Sequence, residues 1–161
     1  ADLFLRADGL VIDLFRVCTT GLTPVTSEKT IGSVNELLAR ACMGEEIDFA
    51  SLIQRPRRDS PEPLPAWHDD FPVFAGVYNE PKRDYTLVDI QTVDRIGLLY
   101  AVFNAIGSLG HEITHARINT EKGAAIDSLC VSDAMGRKIN DPAALAALRH
   151  AVAKAVGLPQ T

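Results

Sequence analysis

Two hydrophobic periods follow one another along the second half of the chain. Over residues 71–80 (FPVFAGVYNE) and 85–92 (YTLVDIQT), apolar and β-favouring residues recur at every second position, which predicts two strands. Over 94–110 (DRIGLLYAVFNAIGSLG) the period lengthens. Leu99, Val102, Phe103, Ile106 and Leu109 recur at three and four, the spacing of one helix face, with Asp94 as the expected N-cap and Gly110 as the end. Alternation returns over 111–120 (HEITHARINT), where Thr114, Ala116 and Ile118 interleave with His115, Arg117 and Asn119. EKG (121–123) predicts a hairpin turn, AAIDSLCVSD (124–133) a returning strand and AMGRKIND a loop. PAALAALRHAVAKAVG (142–157) predicts a helix, with Pro142 in its first turn and Leu145, Leu148, Val152 and Val156 as its apolar stripe. Strand, helix, strand, strand, helix is most of a ferredoxin-like βαββαβ unit, an α+β fold; the residues after Gly157 offer no final strand.

The first half repeats part of this pattern. GLVIDLFRV (9–17) aligns with GAAIDSLCV (123–131): Gly9 meets Gly123, Ile12 meets Ile126, Asp13 meets Asp127 and Val17 meets Val131, each 114 positions apart (127 minus 13). An alternating run precedes each copy and a helix follows; in the first that helix is TIGSVNELLARAC (30–42), with Val34, Leu37, Leu38 and Ala41 expected to face inward. Residues 1–49 therefore read as the second half of a first unit, whose last strand is expected at 71–80. Its first strand and helix are missing. The chain is thus expected to be a piece of a longer one, the alternative being an intact chain that borrows both elements from a partner. Five of the nine prolines (Pro56, Pro61, Pro63, Pro65, Pro72) crowd residues 54–72, so 50–70 reads as a linker, or else an ordered surface loop. The second unit covers 84–158.

Hydrophobic residues make up 47% of the chain, enough for a core, and the net charge of −5 argues against a nucleic-acid partner. No run of about 18 apolar residues predicts a membrane span, and no signal segment opens the chain. Cys18, Cys42 and Cys130 are odd in number and form no C-x-x-C pair, which fits reduced cysteines of a cytoplasmic protein. His111-Glu-Ile-Thr-His115 matches the H-E-x-x-H zinc pattern. Zinc needs both imidazoles within about 2.1 Å of one ion, which a helix supplies. On a strand, four residues span roughly 13 Å. Gly110 before the motif and the alternation after it predict a strand, so no metal is expected. Phosphate-loop, dinucleotide and nucleophile-elbow motifs are lacking, and neither a catalytic site nor a cofactor is expected. Asp13 and Asp127 read as solvent-facing or turn-stabilising residues.

The run DIQTVDRIGLLYAVFNAIGSLGHEITHARINTEKGAAIDSLCVSDAMGRKI resembles an ACT domain, with its D-R-x-G-L-L-Y helix start, A-x-I strand and G-R-K loop. Together with ADLFLRADGLVIDLFRV, QRPRR and FPVFAGVYNEPKRDYTLVDIQTVDR, it is most similar to the tandem ACT region at the C-terminus of the bifunctional PII uridylyltransferase/uridylyl-removing enzymes. Ile96 departs from the proline usual there. The resemblance implies tandem ACT domains with the first copy incomplete. It also implies a small amino acid as ligand, glutamine above others, homodimerisation through ACT pairing, and catalytic domains of a nucleotidyltransferase elsewhere in the parent chain. In such domains the ligand lies between two modules. This implies Arg95, Ile96, Gly97, Leu98 and Leu99 as the ligand loop, with His115 and Asn119 on the facing strand. Physical chemistry is compatible with that loop. A helix N-terminus offers free N–H groups to a carboxylate, Gly97 allows close approach, and Asp94 serves either as cap or as acceptor of an ammonium. Two alternatives stay open: an ACT pair that dimerises without ligand, and the ACT tail of another regulator such as an alarmone synthetase/hydrolase.

Overall fold

The period-two segments pair into one antiparallel sheet and the longer-period segments become helices. A computed structural model describes residues 1–5, 8, 10–19, 23–54, 72–121 and 123–158. The elements are β1 (Asp2–Leu5), β2 (Val11–Leu14), α1 (Glu28–Cys42), α2 (Phe49–Gln54), β3 (Phe74–Tyr78), β4 (Thr86–Val93), α3 (Leu98–Gly107), β5 (Glu112–Glu121), β6 (Ala124–Ser132) and α4 (Pro142–Val156). Two units are formed. One comprises Ala1–Phe15 with Leu64–Thr161 and the other Arg16–Pro63.

Among the described residues, the first unit carries all six strands, in the order β2-β1-β5-β6-β4-β3. β4, α3, β5, β6 and α4 supply the expected βαββα pattern. β3 pairs antiparallel with β4, Phe74 opposite Gln91 and Tyr78 opposite Leu87. In a ferredoxin-like sheet that flank belongs to the last strand of the unit. Here β3, a segment preceding β4, fills it. At the other side β1 pairs antiparallel with β5, and β2 with β1. The hairpin of the first repeat thus extends the sheet of the second.

Alternation decides what each face buries. Val88 and Ile90 from β4, Ala116 from β5, and Ala125, Leu129 and Val131 from β6 form the core with Leu98, Val102 and Ile106 of α3 and Leu148, Val152 and Val156 of α4. α4 starts on an Asp141 cap with Pro142 in its first turn and ends on a left-handed Gly157, φ 87°. Where the β3–β4 turn meets the loop before α4, three groups close a partly buried network. Thr86 Oγ1 donates to Asn79 Oδ1 (2.8 Å), Asn79 Nδ2 donates to the Ile139 carbonyl (2.7 Å) and the Ile139 N–H donates to Thr86 Oγ1 (3.1 Å). Thr86 is fully buried. Thr86→Val keeps the shape but orphans the Ile139 N–H. Urea unfolding should show a loss of about 1–3 kcal/mol.

In the second unit, Ser27 caps α1 by accepting from the Thr30 N–H (3.3 Å), and Arg40 pairs with Glu45 just beyond its end. The helix bounds extend the repeat. Both lie 114 positions before those of α4 (142 minus 28, 156 minus 42). The inward face expected for α1 is not realised: Val34 and Leu38 are each 51% exposed, and no α1 residue is buried. An apolar stripe buries only against a partner surface, and α4 has one in α3 and β3. α2 is a short helix at the edge of the expected linker; residues 55–70 of that linker, and His68 within it, lie outside the described residues.

Candidate functional site

β4 does not pass straight into α3. The Asp94 N–H still donates to the Gly123 carbonyl (2.8 Å), so pairing with the β5–β6 turn runs one residue beyond the strand. The chain then turns, with the Leu98 N–H donating to the Arg95 carbonyl (3.1 Å), and Gly97 takes a left-handed conformation, φ 80°. Gly97, not Asp94, is therefore the N-cap, and no side chain caps the helix. The expected Asp94 cap fails because that residue is held in the strand pairing, three positions too early. Gly97→Ala forces a β-carbon into the left-handed region, and a loss of about 1–2 kcal/mol is expected in thermal or urea unfolding.

The loop residues have divided roles. Leu98, 2% exposed, belongs to the core, and Leu99 is half-buried. Ile96 is exposed, and the Arg95 guanidinium donates to the Ala155 carbonyl in the last turn of α4 (2.6 Å), fastening the loop there. His115 and Asn119 lie on β5, but Ala116 and Ile118 take the core-facing positions of that strand. Their side chains therefore project from the opposite face, away from the helices. What β5 offers the junction is the backbone of Asn119.

That backbone points to a residue misjudged from sequence. The Asn119 N–H donates to Oδ1 of Asp127 (3.1 Å), and Asp127 is only 3% exposed. It shares the core-facing positions of β6 with Ala125, Leu129 and Val131, so it is neither solvent-facing nor a turn residue. Parity carried the signal: Asp127 stands two residues from Ala125 and two from Leu129. Its counterpart Asp13 on β2 is exposed. Burial raises the Asp127 carboxyl to a pKa of about 6. The Asn119 N–H opposes the rise, the Asp94 charge adds to it and the α-ammonium of Ala1 opposes it.

Of the H-E-x-x-H segment, His111 precedes β5 and Glu112 to His115 are extended within it, with an irregularity in the pairing with β6 between Ile113 and His115. A cavity of about 410 Å³ lies at the other end of the sheet, lined by His111, Asp133, Arg137, Asn140 and Asp141 among others. Among the described residues no helix is long and apolar enough to cross a membrane.

Comparison with known proteins places the chain beside one enzyme. It is 28% identical over 158 residues to the bifunctional uridylyltransferase/uridylyl-removing enzyme of Rhodospirillum rubrum, covering 97% of the chain and 16% of that protein. The enzyme of the same name from Gluconobacter oxydans is 30% identical over 155 residues, 93% of the chain and 16% of that protein. That of Novosphingobium aromaticivorans is 36% identical over 77 residues, 47% of the chain and 8% of that protein. The chain thus spans about a sixth of the length of the first two. No family model matches it, and no solved structure does.

Proposed function

We propose that this chain, homologous to a segment of the bifunctional uridylyltransferase/uridylyl-removing enzymes, is an ACT-type regulatory region that senses a small amino acid. Glutamine is the effector we favour. The observation that carries the reading is the seam between β1 and β5. β1 precedes β2 in the first repeat as β5 precedes β6 in the second, so equivalent strands of the two copies meet edge to edge. The seam includes Ala1 and Ile118, where the Ile118 N–H donates to the Ala1 carbonyl (2.9 Å), beside Asn119 and at the same end of the sheet as the Asp94–Leu98 junction. A zwitterion fits such a corner, its carboxylate on the uncapped start of α3.

A ligand touching both copies favours their paired state and shifts that equilibrium by its difference in affinity. The paired state then biases catalytic domains outside this chain. The β5 edge is filled by the chain's own β1, so a homodimer uses another surface. Isothermal titration with L-glutamine and a panel of other amino acids tests the reading. Saturable heat with one or a few of them is expected. Silence for all, with the circular dichroism of a folded chain, leaves a structural module that senses nothing.

A further inference from the structure

We propose that Asp127 receives the ammonium group of the bound α-amino acid, an assignment that rests on the sensing reading and names one contact within it. Asp127 is a buried carboxylate whose hydrogen bond comes from a backbone N–H. Among the described residues no lysine, arginine or histidine side chain is bonded to it. Arg95, the cation of the neighbouring junction, is spent on the Ala155 carbonyl. Burying a carboxylate without a side-chain cation is costly, and Asn in its place would keep the Asn119 bond without the charge. A charge held at that cost, beside a candidate ligand corner, is suited to a cation that arrives from outside.

Topology sets Asp127 beneath the junction. β6 lies between β4 and β5, so the connection from β4 through α3 to β5 passes over β6 on the helix-covered face. Asp127 lies on that face, and Asp94 at the start of the connection is near enough for its charge to act on it. Two carboxylates thus stand near the uncapped helix start, which offers positive partial charge, an arrangement complementary to a zwitterion.

Two ligands and two variants test the assignment. The ligands are the best-binding amino acid from the titration panel and the same acid lacking its α-amino group. The variants are Asp127→Asn and Asp127→Ser, each checked for fold by circular dichroism. The parent chain should prefer the amino form by more than tenfold. Both variants should lose that preference through weaker binding of the amino form alone, with the desamino acid bound as before. A folded variant that keeps the parent's preference overturns the assignment and leaves the sensing reading standing. A parent chain that binds no amino acid overturns both.

Discussion

At pH 7, Asp127→Asn should make the sheet unit more stable by about 2–3 kcal/mol, with the gain vanishing near pH 4. The folded carboxyl titrates near pH 6 because burial penalises its charge, against an ordinary value of 3.8. Below pH 3.8 the carboxyl is protonated in both folded and unfolded chains and costs nothing. Between pH 4 and 6 the unfolded chain releases the proton while the folded chain keeps it, so stability falls as pH rises. Above pH 6 both forms are ionised and the penalty is constant. Asparagine keeps an oxygen for the Asn119 N–H and has no charge to bury. Urea midpoints at pH 4, 5, 6 and 7 would show a falling series for the parent that is shallower in the variant. A variant less stable than the parent at pH 7 would mean that the carboxylate has a stabilising partner.

Leu129→Ala should cost about 2–5 kcal/mol, a large share of what a domain of this size has to lose. Leu129 is fully buried on the central strand β6, with Ala116 opposite it on β5 and Val88 opposite it on β4. Alanine leaves a void that the flanking strands, locked by their ladders, cannot close. The urea midpoint should drop with an unchanged slope, since the surface exposed on unfolding is nearly the same. The same exchange at Leu38 on α1, which is half-exposed, should stay within about 0.5 kcal/mol.

Legibility from sequence follows how local each determinant is. β4, β5, β6 and α4 were readable because an alternating run or a 3.6-period stripe is written in consecutive residues. The 114-residue repeat was readable too, and the bounds of α1 and α4 extend it. The start of α3 was misread because its cap depends on a hydrogen bond from Asp94 to Gly123, twenty-nine residues away (123 minus 94). Of the expected ligand residues, Asp94, Gly97 and the backbone of Asn119 come to one end of the sheet, whereas Leu98 goes to the core and Arg95 to α4. Asp127 was misjudged since an aspartate is rarely buried, even though its parity matched its apolar neighbours.

By itself the sequence determined the period of most segments, hence strand or helix, and the 114-residue spacing shared by α1 and α4. Strand partners were decided only in the tertiary structure. β3 was expected to complete the first copy, yet it lines β4 of the second, and β1 joins β5 across more than a hundred residues. The reason is physical: a side-chain period states which face of a strand is apolar, but backbone N–H and C=O groups are alike at every edge. Which edge is filled depends on what the folded core has left open.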